Sequence, residues 1–310
     1  MADVRIGISG WRYTPWRGDF YPDGLVQRRE LEFASRAVTS IEINGSFYSL
    51  QKPELYARWA AQTPDDFVFS VKGPRFVTHT KRLKDIHEPL ANFFASGFLG
   101  MRHKLGPILW QFPANFRYDH DLFDAFVRAL PRDTEQAVKL ARDCSERMKR
   151  PGYLEAEPGQ RLRHAIEVRS ETFVDEQFID LLRKHNIALV VADTAGKWPY
   201  AEDLTSDFVY IRLHGDKVLY TSGYSDEALE RWKTRIATWS RGKQIREPRL
   251  IGSHHDTPRK ERDVFCYFDN DVKVRAPYDA RRLLGKLGLD QDLQTTPGVL
   301  VDEEVKGAMQ

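Results

Sequence analysis

The chain has 310 residues, of which 41% are hydrophobic and 30% are charged, and its formal net charge is +2. This composition is typical of a globular protein with a substantial core. The small net charge gives no general attraction to a polyanion, although it leaves room for a local basic patch. No apolar segment reaches the roughly 18 residues that a membrane-spanning helix requires.

The cysteines and the first residues indicate the compartment. Cys144 and Cys266 lie far apart in the chain and share no metal-binding spacing, so we expect two free thiols in a reducing environment. The first residues, MADVRIGISGW, begin a strand at once and lack the apolar segment of a signal peptide. Together these features predict a cytoplasmic protein with no membrane partner.

Short β-branched or aromatic segments alternate with amphipathic segments along the chain. Strands are predicted at residues 4–9, 40–44, 67–72, 107–112, 164–169, 187–193, 207–214 and 263–268. Helices are predicted at residues 30–38, 53–62, 86–103 and 276–287, and from the capping residues Asp119, Asp175 and Ser225 to about residues 130, 185 and 239. Pro53 suits the first turn of its helix.

Eight strands, each followed by a helix, predict parallel strands with right-handed crossovers. We predict a single-domain (β/α)8 TIM barrel over residues 1–290 and a polar tail, 291–310, that frays. A doubly wound open sheet is the alternative, and the lack of a glycine-rich fingerprint after the first strand weakens it. Residues 132–163 and 242–262 are insertions before strands five and eight, the first charged with an extra helix and the second basic.

Polar side chains collect at the C-terminal ends of the predicted strands. Residues i and i+2 of a strand point to the same face. Four strands end in such a pair: Glu42 with Asn44, Ser70 with Lys72, Glu167 with Arg169, and Arg212 with His214. Strands four and six end in Gln111 and Asp193, and strand eight is followed by Asp269, Asn270 and Asp271. In a parallel barrel all of these ends lie on one rim, where the active sites of this fold occur. The sequence therefore predicts a polar pocket at that rim.

The charges at this rim are nearly balanced. The acids are Glu42, Glu167 and Asp193, and the bases are Lys72, Arg169, Arg212 and the titratable His214. One interpretation is a structural network of ion pairs that closes the mouth of the barrel. The other is a site for a small polar or anionic ligand, and the two are compatible because ion pairs also orient catalytic groups.

In the functional interpretation each charged group has a role. Arg212 and Lys72 hold a phosphate or carboxylate, Arg212 through its planar guanidinium. His214 acts as a general acid or base, because its ordinary pKa lies near neutrality. Glu167 is the base or nucleophile, and Arg169 keeps it ionised.

Two other uses of the acids are open. Glu42 and Glu167 resemble in kind the carboxylate pair of retaining glycosidases. With Asp193 and His214 they would also suit a divalent metal, but the nearby cations compete with a metal and no compact ligand motif appears. We therefore expect no metal and no organic cofactor, and we interpret His254-His255-Asp256 as part of a solvated loop.

Aromatic residues follow the same strand ends. They are Trp11, Tyr13, Trp16, Phe47, Tyr48, Tyr220 and Tyr224. Such walls are typical of small-molecule sites, but they also stack sugars or bases, or pack a lid. We expect substrate contacts from Trp11, Asn44, Tyr48, Gln111, Tyr220, Tyr224, Asn270 and Asp271, besides Lys72, Arg169 and Arg212. His79, in the loop after strand three, is expected mainly to bond within its own loop.

These segments resemble one family, the domain of unknown function 72 family, also called YecE-like. The resemblance covers about residues 5–284 and is carried by GISGW at 7–11, EINGSFY at 42–48, FSVK at 69–72, LWQFP at 109–113, EVR at 167–169, YIRLHG at 210–215 and YFDND at 267–271. It implies a (β/α)8 barrel and no established activity.

The motif positions of the family fall on most of the rim residues. They are Glu42, Asn44, Tyr48, Lys72, Gln111, Glu167, Arg169, Asp193, Arg212, His214, Asn270 and Asp271. The chain departs from the family pattern at Ser170, Phe173 and Asp269, where the resemblance implies His, Trp and Asn. The third departure adds a negative charge after strand eight.

Three functions follow from this sequence. The first is a cofactor-free enzyme, a hydrolase or isomerase acting on a small polar or anionic molecule through Glu167 and His214, by analogy with the fold. The second is a metal-assisted phosphoesterase acting on nucleic acid, which the basic stretch 241–262 favours and the small net charge disfavours. The third is a barrel that binds a ligand without catalysis.

Overall fold

A computed structural model describes residues 2–146, 148, 152–253 and 260–298. Its eight strands are β1 (Val4–Ser9), β2 (Ser40–Ile43), β3 (Val68–Lys72), β4 (Leu105–Gln111), β5 (His164–Glu167), β6 (Ala188–Asp193), β7 (Phe208–Leu213) and β8 (Asp263–Phe268). Each strand pairs in parallel with the next, and β8 pairs with β1, so the sheet closes on itself. The predicted (β/α)8 barrel is confirmed, and the open sheet is wrong.

Helices surround the barrel. They are α1 (Glu30–Ala37), α2 (Gly45–Tyr48), α3 (Pro53–Gln62), α4 (His87–Phe94), α5 (His120–Ala129), α6 (Thr134–Ala141), α7 (Glu176–Lys184), α8 (Asp226–Ser240) and α9 (Arg275–Leu287). Asp119, Asp175 and Ser225 each accept a hydrogen bond from a backbone N–H of the first helical turn, as their side chains predicted. No described helix is long and apolar enough to cross a bilayer.

The predicted helix over residues 86–103 is broken in two. α4 ends at Phe94, and a separate 3-10 segment runs over Phe98–Lys104. Gly97 between them has φ 108°, and a Cβ at this position would lie 2.7 Å from Cα of Pro53. The chain therefore turns where only glycine fits against the start of α3.

The connection from β6 to β7 differs from the predicted pattern. Residues 194–207 are all described and contain no helix, so the expectation of a helix after every strand is wrong at this point. The second insertion packs there instead. The N–H of Glu202 donates to the carbonyl of Arg249 at 2.7 Å, and the carboxylate of Asp203 accepts from the N–H of Ile251 at 2.7 Å and of Gly252 at 3.1 Å.

The two other extensions also have defined places. The first insertion contains α6, as its sequence predicted. The tail, which was expected to fray from residue 291, packs on the barrel as far as residue 298. Thr295 Oγ1 donates to the carbonyl of Phe33 at 3.1 Å, and the N–H of Gly298 donates to the carbonyl of Phe20 at 3.0 Å. Residues 299–310 lie outside the described residues.

The inside of the barrel changes from apolar to charged along its axis. Its interior is filled by Leu109, Ala165, Ala188, Val190, Ala192, Phe208, Tyr210, Phe265 and Tyr267. The hydroxyls of Tyr210 and Tyr267 lie 2.7 Å and 2.8 Å from those of Ser70 and Ser40, which form a polar floor. Two residues further along the strands the inward positions carry charges, and there the mouth of the barrel begins.

Candidate functional site

Arg212 is the centre of the charged layer. Its side chain is buried and contacts side chains from four other strands or strand ends. The guanidinium donates to Glu42 at 2.9 and 3.1 Å, to Glu167 at 2.6 Å, to Asp269 at 2.9 Å and to Ser9 Oγ at 3.1 Å. We expected this group to hold a ligand, but its donors are directed at three carboxylates, which corrects that expectation. Arg212 organises the acids of the mouth.

Glu167 is a buried carboxylate surrounded by donors. Besides the bond from Arg212, its Oε1 accepts from Gln111 Nε2 at 2.9 Å and from Arg169 Nε at 2.8 Å. Burial by itself would raise the pKa of Glu167, but the charges of Arg169 and Arg212 outweigh it and hold that pKa well below its ordinary value. A carboxylate stabilised in this way is a weak base. Glu167 is therefore better suited to orient Arg169 than to accept a proton.

Glu42 is equally enclosed. Its oxygens accept from Ser9 Oγ at 2.6 Å and from Tyr210 Oη at 2.7 Å, in addition to Arg212. Both Glu42 and Glu167 bond the same guanidinium, so they do not face a gap in which a sugar could lie between them. The arrangement therefore does not have the form of a glycosidase pair.

His214 and Asp269 form a second contact in the layer. Nδ1 of His214 lies 3.0 Å from Oδ2 of Asp269, but without the alignment of a hydrogen bond. Burial would raise the pKa of Asp269, and Arg212 and His214 outweigh it, so the pKa is lowered. The rings of Trp198 and Tyr220 meet His214 edge-on, at centroid distances of 6.4 and 5.4 Å, and its side chain is fully buried. His214 thus lies beneath two rings.

Two cations at the mouth are engaged differently. Lys72 Nζ lies 4.3 Å from the ring centroid of Phe47, and within the described part of the chain it has no hydrogen bond or ion pair. Burial, followed by the charge of Arg212, lowers the pKa of Lys72 to about 8. Arg169 lies 3.9 Å over the ring of Trp198, and neither of its Nη atoms has a hydrogen-bond partner among the described residues. These donors are available to a ligand.

The remaining titratable groups at the mouth are Asp271 and His79. Burial, and then the charge of Asp269, raise the pKa of half-buried Asp271 to about 6. Nδ1 of His79 lies 2.8 Å from Oγ1 of Thr78, so it bonds within its own loop as expected. Burial, and then nearby cations, lower the pKa of His79 to about 4. Of these two groups, Asp271 therefore has the pKa nearer to neutrality.

Asn44 joins the same layer. Its Nδ2 donates to Ser9 Oγ at 2.9 Å. Its Oδ1 is buried and has no hydrogen-bond partner among the residues that the structure describes. Asn44 therefore presents an unused acceptor beside the charged cluster.

Asp193 is not brought to the cluster. It pairs in register with Leu213, whereas its neighbour Ala192 pairs with inward-facing Arg212, so the side chain of Asp193 points away from the barrel axis. It accepts from Tyr224 Oη at 3.2 Å and lines a cavity of about 270 Å³ outside the mouth. The expectation that Asp193 shares a site with Glu42 and Glu167 is corrected.

Other expected contact residues serve packing or lie apart. Trp11 is buried edge-on against Trp59 at 5.1 Å. Asn270 donates to the carboxylate of Asp279 at 3.0 Å and so joins the strand-eight loop to α9. Tyr48 is 71% exposed, on the surface beside Phe47. Tyr224, beneath Asp193, is also buried. Of the expected aromatic contacts, Tyr220 is the one that lies over the cluster.

Ser9 and Trp198 were not among the predicted residues, and Asp269 was placed at the rim without a role in the site. Ser9 and Asp269 lie two positions beyond inward residues of β1 and β8, so the alternation along those strands gives a signal for both. Trp198 belongs to the loop after β6, where no periodicity applies. The departure from the family pattern at Asp269 therefore adds a carboxylate at the centre of the cluster.

The positions of the side chains proposed as metal ligands do not support a metal site. Within the described residues, no three His, Cys, Asp or Glu side chains converge as a metal site requires. Asp193 points away from the other three side chains proposed as ligands. The segment His254-His255-Asp256 lies outside the described residues.

Comparison with known proteins finds one matching family and several similar bacterial proteins. A family model with the description "Protein of unknown function DUF72" matches residues 5–300. The UPF0759 protein YecE of Escherichia coli O157:H7 is 24% identical over 241 residues, which are 76% of this chain and 82% of that protein. The UPF0759 protein YunF of Bacillus subtilis is 29% identical over 121 residues, 36% of this chain and 41% of that protein.

Solved structures agree in architecture. A DUF72 family protein of Thermotoga maritima has a TM-score of 0.67 at 23% identity, covering 92% of this chain and 99% of that one. A DUF72 family protein of Enterococcus faecalis has a TM-score of 0.63 at 14% identity, covering 93% of this chain and 99% of that one. Likeness at this level of identity shows the shared fold.

Proposed function

Because this chain belongs to the family of proteins of unknown function DUF72, its membership brings no activity with it, and we propose from its site that it acts on a small anionic molecule by acid–base chemistry. The observation that carries the proposal is the pair of cations at the mouth. Lys72 and Arg169 have unengaged donors, whereas Arg212 beneath them is saturated by carboxylates.

Arg169 is the group best suited to bind the anion. Glu167 fixes its Nε, and Trp198 supports its flat face, so the two Nη atoms are held in one orientation. A guanidinium held in this way matches the two oxygens of a carboxylate or phosphate. Lys72 supplies a second positive charge, and the unpaired Oδ1 of Asn44 supplies an acceptor for a hydroxyl or amine of the ligand.

Proton transfer falls to His214 and Asp271. His214 lies 3.0 Å from the carboxylate of Asp269, and Asp271 exchanges its proton near pH 6. Access to His214 requires displacement of Tyr220, whose φ of 61° is a strained value for a residue with a side chain. Such chemistry suits a hydrolase or an isomerase.

The complete burial of His214 favours a second candidate, a protein that binds the anion without transforming it. Both candidates require Arg169 for binding, and only the enzyme requires His214. Conversion of a panel of phosphorylated and carboxylated metabolites by the wild type, and its loss in His214→Asn with binding retained, supports the enzyme. Equal binding by both proteins without turnover in the panel supports the binding protein.

The anion site itself is tested by calorimetric titration with inorganic phosphate and with malonate. Arg169→Met is expected to weaken binding at least about tenfold, since a charge-assisted bidentate contact is lost. Arg163→Met is the matched control. Arg163 also lies over aromatic rings and pairs with a carboxylate, Asp263 at 2.7 Å, but at the N-terminal end of the barrel. Unchanged binding by Arg169→Met would refute the proposal.

A further inference from the structure

The amine of Lys72 has an unusual environment for a lysine. The residue is 7% exposed, and its Nζ faces the ring of Phe47 at 4.3 Å. Lysine side chains ordinarily extend so that the ammonium group reaches water or an acceptor. Within the described part of the chain, Lys72 has neither a hydrogen bond nor an ion pair. Its charged form is therefore poorly stabilised.

Lys104 shows what a structural ammonium looks like in the same protein. It is 6% exposed, close to the value for Lys72. Its Nζ, however, donates to the carbonyls of Ala60 at 2.7 Å and Thr63 at 2.9 Å. Those acceptors compensate the ammonium for its lost hydration. The two lysines are alike in burial and differ in partners, so they form a natural pair for comparison.

The position of Lys72 adds a second point. It ends β3 at the mouth of the barrel, and the charges that act on it are those of Arg212, Glu42, Glu167 and Asp269. Burial and the cation Arg212 favour the neutral amine, and with a pKa of about 8 roughly a tenth of the amine is neutral at pH 7. A neutral amine at a substrate site is a nucleophile.

We propose that Lys72 condenses with the carbonyl group of an anionic aldehyde or ketone and forms an imine at the mouth of the barrel. The inference rests on the proposed function, because Arg169 would bind the anionic group of the same molecule. It narrows the substrate to a carbonyl compound.

The step balances without a further reactant. The ammonium first gives one proton to a base, and the lone pair of Nζ then forms a bond to the carbonyl carbon, whose oxygen takes up a proton. The nitrogen then releases a second proton to a base, and an acid gives the oxygen its second proton, so that the oxygen leaves as water. The net change is an ammonium ion and a carbonyl giving a protonated imine and water. Water at the mouth accepts the first proton and returns it to the oxygen.

The experiment is reductive trapping on the full-length protein. Wild type is incubated with sodium cyanoborohydride and either glycolaldehyde, which is neutral, or glycolaldehyde phosphate, which is an anion. Peptide mapping by mass spectrometry then measures the modified fraction of each lysine. At pH 7 we expect Lys72 to be modified at least about tenfold faster than the exposed lysines, whose ordinary pKa is near 10.4. It is also expected to react faster than Lys104, because burial lowers the pKa of Lys104 too but its Nζ is held by two backbone carbonyls. The rate at Lys72 is expected to rise with pH to a plateau above about pH 8.

Variants and probes separate the two proposals. Lys72→Arg keeps the positive charge and cannot form the adduct, so its trapping is expected to fall to the level of exposed lysines, whereas Lys104→Arg leaves the Lys72 adduct unchanged. If Lys72→Arg does not fold, the mapping of wild type still decides. Modification of Lys72 no faster than exposed lysines with both aldehydes overturns the inference, even if phosphate binds through Arg169. Fast modification with both aldehydes at equal rates supports the nucleophile and counts against the anion site.

Discussion

Replacement of Arg212 by Met tests the central network most directly. The variant removes the partner of three carboxylates, Glu42, Glu167 and Asp269, all of which contact the guanidinium within 3.1 Å. Removal of one partner from a buried ion pair destabilises a protein by about 3–5 kcal/mol, because the remaining charge is left without compensation. We expect a loss in that range at pH 7 in the free energy of unfolding by urea, followed by tryptophan fluorescence.

The loss should depend on pH. In the wild type the pKa values of Glu167 and Asp269 lie below their ordinary values, so the stability they contribute is present above the unfolded pKa and is lost as pH falls. In Arg212→Met the guanidinium no longer offsets burial, so the pKa values of Glu167 and Asp269 rise relative to the wild type. The difference in stability between the two proteins therefore shrinks as pH falls through the range in which carboxylates titrate. Arg163→Met, which breaks one half-exposed pair, should lower stability by about 1 kcal/mol or less. A loss as small as this in Arg212→Met would refute the reasoning.

Three further outcomes follow from the structure. Lys72→Met should be more stable than the wild type at pH 7 by about 2–3 kcal/mol, because the pKa of Lys72 is about 8 in the folded protein and near 10.5 in the unfolded one. This gain in stability should vanish as pH rises from 8 to 10.5. Equal stability of the two proteins at pH 7 in calorimetry would argue against a poorly stabilised ammonium. His164 is buried between Trp110 Nε1 and the carbonyl of Pro131, and burial lowers its pKa to about 3. The free energy of unfolding of the wild type by urea should therefore fall as pH falls from 6.5 to 3, and that of His164→Gln should fall less steeply. Identical pH dependence in the two proteins would contradict this assignment. Asp193→Asn should change phosphate affinity less than about twofold in the same titration, since its side chain leaves the barrel axis, and a tenfold loss would place it in the site after all.

The fold could be predicted well from the sequence because its signals are local. Strand periodicity, the caps at Asp119, Asp175 and Ser225, and the number of strands all depend on neighbouring residues. The missing helix between β6 and β7 could not be found in this way. Its place is taken by backbone contacts to residues 249–252, almost fifty positions later, and such pairing leaves no periodic mark.

The site could be predicted in position but not in detail. Alternation brought Glu42, Glu167 and Arg212 together correctly, and when applied to every strand it also separates inward Asp269 from outward Asp193. Alternation does not say which donor meets which acceptor. The saturation of Arg212 depends on distances across the barrel, so an arginine bound by acids and one open to a ligand look alike in sequence.

The bonds of Arg212 also have a consequence for how the barrel opens. Its guanidinium joins side chains from β1, β2 and β5 and from the loop after β8 to β7, so neighbouring strands cannot separate one at a time near the mouth. Native-state hydrogen exchange should therefore show the amides at the C-terminal ends of these strands becoming accessible in a single cooperative event. The opposite end of the cylinder is held by weaker contacts, such as the half-exposed ion pair of Arg163 with Asp263, so its amides are expected to exchange at a lower free energy of opening.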